Sequence, residues 1–346
     1  MMDFRQARIT GVITHLVGNK SREELVEYST EYTEMDDITQ DLWLKYCLHP
    51  FKTNEFYQFT HSVELKLNAV FTIAQTIFAN PSQLLSQSVH LANLLYDASN
   101  HPKIKSGEMH IVYFEEMVLE DELVNAIGIF KTESRDAYLK FSAKDAYYEI
   151  NKDLGIGLTS LDKGCLIFET DPENGYKIAL ADQLNRSSDV QFWKETFLQL
   201  QPCADYFHHT RNFLNLTKTY LEEQIENQFD ISKPDKIDLL NRSLDYFKNN
   251  ETFEVEAFAD SVLIDDNVIQ SFQKYKEDFE EQNKTEIPKE FQISTQAVKK
   301  EARKFKEILK LDENFEIRIL AGREHIEKGT DENGRKFYKL YYEEEN

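Results

Sequence analysis

Between residues 108 and 180 the chain carries six short β-like runs, at 108–115, 123–131, 137–140, 146–151, 163–169 and 175–180. Turn signals such as Asp162-Lys163-Gly164 and the stretch 171–175 separate them, and no helical period lies between. A parallel pair needs a crossover of about a dozen residues or more, usually a helix. Strands this close therefore form an antiparallel meander, and this stretch constrains the fold more than any other.

Ahead of it the apolar period is two over residues 7–17, where Ile9, Gly11, Ile13 and His15 share a face. A second strand is expected at 24–30, after a turn at Asn19-Lys20-Ser21. The period becomes helical at Asp37 and stops at His49-Pro50. Further helices are expected at 63–78 and 84–98, with Asn80-Pro81-Ser82 between them. Beyond Asn185 the pattern is helical again. Ser188 with Gln191 resembles a capping box, 206–227 is a long helical run, Ser232-Lys233-Pro234 opens another, and 268–281 follows. The acidic stretch 277–286 reads as a linker.

The expected fold class is α+β. Residues 1–184 make an N-terminal antiparallel sheet with helices, and residues 185–346 a helical middle with a C-terminal basic helix and β-hairpin. A hydrophobic share of 41% with 24 Phe and 17 Tyr is enough to fill real cores, which excludes global disorder. No run of about 18 apolar residues occurs and the N-terminus lacks an apolar segment, so neither a membrane span nor a signal peptide is expected. Cys47, Cys165 and Cys203 are odd in number and far apart, which fits free thiols in a reducing cytoplasm.

Signatures of catalysis are missing. Gly155-Ile156-Gly157 lacks the third glycine of a dinucleotide loop, and neither a phosphate-binding GxxxxGK[ST] loop nor a GxSxG elbow occurs. His208 and His209 are adjacent, so on a helix they diverge by about 100° and cannot share a metal. Glu64-Leu65-Lys66 matches the short carboxylate-x-lysine element of many nucleases but has no partner carboxylate. No catalytic residue, metal or cofactor is expected.

Charge points elsewhere. The chain holds 40 Lys and Arg against 62 Asp and Glu, a net −22, which on average repels nucleic acid. Residues 294–310 run against this trend. Lys299, Lys300, Arg303, Lys304, Lys306 and Lys310 face only Glu301 and Glu307, so 6 minus 2 leaves +4. Read as one helix, Lys299, Arg303, Lys306 and Lys310 fall at i, i+4, i+7 and i+11. Lys300 and Lys304 flank that stripe, opposite an apolar face of Val298, Ala302, Phe305, Ile308 and Leu309. Such a stripe serves as a solvated face, a nucleic-acid contact, or a contact for a membrane surface or partner. No Arg/Asn cluster suggests base reading, so DNA contact would be weakly specific.

The chain resembles the bacterial 37-kDa nucleoid-associated proteins, the NdpA/YejK family. The likeness rests on the N-terminal strand from Ile9 to Leu16 and on the Ala146-Tyr147-Tyr148-Glu149-Ile150-Asn151 run. It rests also on residues 185–198 with Phe192-Trp193 and Phe197-Leu198, and on a tail in which the basic helix precedes Gly322-Arg323-Glu324-His325-Ile326 and a closing hairpin. The resemblance implies a non-enzymatic protein of the cytoplasmic nucleoid that binds double-stranded DNA, and, for some members, interacts with type II topoisomerases. Arg323 joins the six cations of the basic helix as a candidate DNA contact. The alternative is an acidic adaptor that binds a basic DNA-handling enzyme without tight DNA contact. Phe207, Phe213, Leu214, Leu221 and Ile225 on the 206–227 helix leave a homodimer seam and core packing equally open.

Overall fold

The computed structural model describes residues 2–52, 55–182, 192–283, 285–306, 308–319 and 323–344. The capping pair Ser188 and Gln191, the 185–191 part of the family likeness, Glu307 and Gly322 lie outside these described residues. The chain divides into two compact units, Met1–Cys203 and Ala204–Asn346.

The strands of the first unit are β1 (Met2–Asp3), β2 (Arg8–Val17), β3 (Val26–Glu27), β4 (Phe56–Phe59), β5 (Gly107–Leu119), β6 (Glu122–Thr132), β7 (Asp136–Ala143), β8 (Tyr148–Gly155), β9 (Lys163–Phe168), β10 (Lys177–Asp182) and β11 (Leu200–Pro202). Nine form one sheet in the order β11-β4-β10-β9-β6-β5-β2-β3, with β1 also on β5, and every pairing is antiparallel. The expected meander is met in part: β5, β6, β9 and β10 are successive neighbours in the sheet, whereas β7 and β8 pair with each other as a separate hairpin between β6 and β9. The unit boundary lies beyond residue 184 because β11 pairs with β4 and so belongs to this sheet.

The central strands are apolar at consecutive positions because both faces of the sheet are covered. Alternate side chains Ile111, Tyr113, Ile127, Ile129, Cys165 and Ile167 join one core with α2 (Ala69–Ala79) and α3 (Leu84–Ala98). Their neighbours Val112, Phe114, Ala126, Phe130, Leu166 and Phe168 join another with Tyr46, Cys47 and Leu48 of α1 (Asp37–Leu48). Two glycines are demanded by packing. A Cβ on Gly128 would meet the Phe130 ring at 2.4 Å and the Phe114 ring at 2.7 Å, and one on Gly164 would meet Phe130 at 2.9 Å.

Two expected elements are shorter than their periodicity suggests. The 63–78 helix begins only at Ala69, because the Asn68 side-chain Oδ1 accepts the Phe71 N–H at 3.0 Å while its Nδ2 donates to the Leu198 carbonyl at 3.0 Å. The strand expected at 24–30 pairs only over β3, through Leu16–Glu27 and Val17–Val26.

The second unit contains α4 (Tyr206–Thr219), α5 (Lys233–Asn249), β12 (Thr252–Glu254), α6 (Asp266–Asn283), β13 (Glu290–Gln292), α7 (Thr295–Glu301), β14 (Leu309–Leu311), β15 (Phe315–Ile317), β16 (Ile326–Thr330) and β17 (Lys336–Leu340). Its core is aromatic. The Phe213 ring centre lies 4.2 Å from that of Phe253 and 5.0 Å from that of Phe258. Phe213, Leu214, Leu221 and Ile225 sit in this core and Phe207 is buried, so packing takes the side chains that a dimer seam on that helix would need.

The acidic stretch at 277–286 is not a linker through most of its length, for α6 continues to Asn283. Phe279 packs on the core, Lys276 pairs with Glu280 at 2.9 Å one turn on, and Glu280 accepts the Ile287 N–H at 2.6 Å. The helix expected over 294–310 is also corrected. α7 ends at Glu301, a 3-10 turn covers Ala302–Phe305, and the chain then enters the β14–β15 hairpin. Two destinations force the break. Phe305 is buried in the aromatic core, whereas Leu309 packs with Ile237 and Ile319 in a separate cluster. A continuous helix would stack positions 305 and 309 on one face.

Candidate nucleic-acid interface

Ser294 starts the cationic segment. Its hydroxyl accepts the Ala297 N–H at 3.2 Å, and its own N–H donates to Thr210 Oγ1 at 3.0 Å. Ala297 and Val298 are buried, which turns Lys299 and Lys300 to the exposed side. Lys299 and Arg303 remain about one turn apart across the junction of α7 and the 3-10 turn.

The seven candidate cations are not equivalent. Lys304 Nζ lies 2.5 Å from the carboxylate of Glu301, which is itself buried. Lys310 is on β14, directly opposite Glu316 on β15, and pairs with it at 2.7 Å. That hydrogen bond raises the Lys310 pKa above the usual lysine value. Lys300 sits over the Phe207 ring at 5.7 Å. Lys299, Arg303 and Lys306 are exposed, and among the described residues no carboxylate pairs with them. The single helical stripe is thus broken, because Lys306 and Lys310 lie beyond the helix end.

Arg323 stands apart. Its Nε donates to Asp235 Oδ1 at 2.5 Å and its Nη1 to the Ile326 carbonyl at 2.5 Å. Burial pushes the Asp235 carboxyl up, but hydrogen bonds from Ser232 and Arg323 outweigh it and hold the group below the usual carboxylate range. Asp235 also closes the capping box that starts α5. Arg323 is therefore engaged in holding the tail to α5. Together with Asp230, Asp238 and Arg242 it lines a cavity of about 520 Å³, a feature that sequence spacing did not signal.

Several buried titratable groups outside this segment serve the packing of the core. The Nδ1 of His15 accepts the Ser29 N–H at 3.0 Å, so its proton is on Nε2, which faces Ser88 Oγ at 2.9 Å. In that tautomer the ring donates to Ser88 and cannot take its proton. His110 contacts Thr14 and Thr132 through its two ring nitrogens, and burial, with Arg135 adding to it, pushes its pKa down to about 3. Burial raises the Cys165 thiol to about 12 and the Cys47 thiol well above its usual value. Among the described residues, no three His, Cys, Asp or Glu side chains gather as a metal site, and no helix is long and apolar enough to cross a membrane.

The sequence family described as nucleoid-associated protein YejK (NA37) matches residues 13–333 of this chain. No curated protein matches it.

Proposed function

The chain belongs to the nucleoid-associated protein YejK family, and from that premise we propose that it binds double-stranded DNA with low sequence specificity and without catalysis. The observation that carries the reading is the set of exposed cations Lys299, Arg303 and Lys306, which have no carboxylate partner among the described residues, in a chain of net charge −22. Each neutralised phosphate releases counterions, so even a small group of free cations gives salt-dependent binding. Lys300, Lys304 and Lys310 are secondary contacts, since a ring or a carboxylate already engages them. Arg323 contributes to the fold of the tail more than to a phosphate surface. The working place of such a protein is the nucleoid in the cytoplasm.

The test is a DNA titration from 50 to 200 mM salt. Three phosphate contacts predict roughly 40-fold weaker binding across about that range, with a log–log slope near −3. Replacing Lys299, Arg303 and Lys306 together by Gln is expected to remove that contribution, whereas Lys310→Gln changes the slope by less than about one unit. Absence of binding at low salt would sink the reading.

A second reading has its own support in the net charge of −22. In it the acidic surface meets a basic DNA-handling enzyme such as a type II topoisomerase. It predicts a stable complex with that enzyme that the triple Gln variant retains.

A further inference from the structure

The hairpin of β7 and β8 is exposed along nearly its whole length, only Ser142 and Gly155 being half-buried, and among the described residues its two strands pair only with each other. Isolated two-stranded hairpins are marginal in water. The cross-strand register sorts its side chains onto two unlike faces. One carries the pairs Ala137–Leu154, Leu139–Lys152, Phe141–Ile150 and Ala143–Tyr148. The other carries Tyr138–Asp153, Lys140–Asn151 and Ser142–Glu149. The first face is apolar apart from Lys152, yet Leu139 is 65%, Phe141 63%, Tyr148 74%, Ile150 59% and Leu154 60% exposed.

We propose that this face is the dimerisation surface of the protein, covered by the same face of a second copy. Three observations select a second copy. The first is area. The five large side chains expose on the order of 600 Å². Two copies face to face then remove roughly 1,200 Å² from water, the lower edge of a specific protein interface. The second is charge. Residues 136–155 hold Lys140, Lys144 and Lys152 against Asp136, Asp145, Glu149 and Asp153, so 3 minus 4 leaves −1, and two arms meet without the repulsion that a −22 chain otherwise imposes. The third is shape. At both ends of the face a small residue of β7 lies beside a large one of β8: Ala137 beside Leu154 and Ala143 beside Tyr148. A two-fold partner that lays its β7 over this β8 sets its hollow on this bulge, as an isologous contact requires.

The dimer reading does not rest on DNA binding, and each can fail without the other. Sedimentation equilibrium on the full chain at about 50 µM tests it, a concentration above the micromolar dissociation constant typical of a contact this small. The expected mass is twice 40.7 kDa. Phe141→Asp and Ile150→Asp are each expected to return the mass to that of one chain, with an unchanged circular dichroism spectrum. Ser142→Asp, on the opposite face, is expected to leave the dimer intact. A second readout does not depend on those variants folding. Because Cys47, Cys165 and Cys203 are buried, an added thiol is the accessible one. A short bis-maleimide should join two chains of Ala143→Cys but not of Ser142→Cys. A monomeric wild type, a Phe141→Asp variant that remains dimeric, or equal cross-linking from both faces would overturn the proposal.

Discussion

The first unit contains two antiparallel hairpins that follow one another in sequence and meet opposite fates. In β5–β6 the runs Ile111-Val112-Tyr113-Phe114 and Ala126-Ile127-Gly128-Ile129-Phe130 are buried on both faces, between α2 and α3 on one side and α1 on the other. In β7–β8 the side chains alternate, one apolar and one polar face, and the large apolar ones are exposed. Both are regular ladders of backbone hydrogen bonds, so the ladder does not explain the difference. What differs is the number of apolar faces. A strand pair with two apolar faces must lie inside a unit, and one with a single apolar face needs only one cover, which another molecule can supply.

Substitutions can break or sharpen this contrast. The largest effect is expected at Phe130, which packs on Phe51 and Phe114 and covers both Gly128 and Gly164. Phe130→Ala should lower unfolding stability by about 3–5 kcal/mol in urea titrations, through lost transfer energy and a cavity. Gly128→Val belongs to the same class, because its side chain would enter the space of two rings.

An intermediate effect concerns pH and again belongs to the buried hairpin, since β7–β8 contains no histidine. Burial pushes the pKa of His110 on β5 down to about 3 in the folded chain, from the usual histidine value of about 6.5. Between those values the unfolded chain binds the extra proton, so stability is full above about pH 6.5 and falls as the pH drops toward 3. Urea midpoints measured across that window should decline, and a His110→Gln variant should decline less steeply. An equal decline in both proteins would remove His110 as the cause.

The smallest effect on folding is expected in the arm. In dilute protein, Phe141→Ala should change unfolding stability by no more than about 0.5 kcal/mol, as for an exposed side chain. A loss comparable to that of Phe130→Ala would show that the arm is packed within its own chain in solution, and the contrast between the hairpins would disappear.

Much of this architecture was legible in the sequence because its signals are local. The six β-like runs of 108–180 correspond to strands β5 to β10, and the helical periods of 37–48 and 84–98 correspond to α1 and α3. Illegible were the points where a distant partner overrides the local period. Asn68 starts α2 late by bonding the backbone at Leu198, and Leu309 ends the basic helix by packing with Ile237. The candidate interface follows the same rule. The six cations of 299–310 are visible as a charge excess, but sequence spacing arranges them as one stripe. In the structure Glu301 and Glu316 take Lys304 and Lys310, and Asp235, 88 positions away in the chain, takes Arg323.

The amino-acid sequence by itself determined the α+β class, the antiparallel order of neighbouring strands, the family likeness and the positive segment in an acidic chain. All of these depend on residue type and short-range spacing. The tertiary structure alone decided which cations Glu301, Glu316 and Asp235 engage, where the basic helix stops, and which hairpin keeps an apolar face in water. Those outcomes depend on which surfaces meet, and burial and ion pairing act between groups that the chain brings together only when it folds.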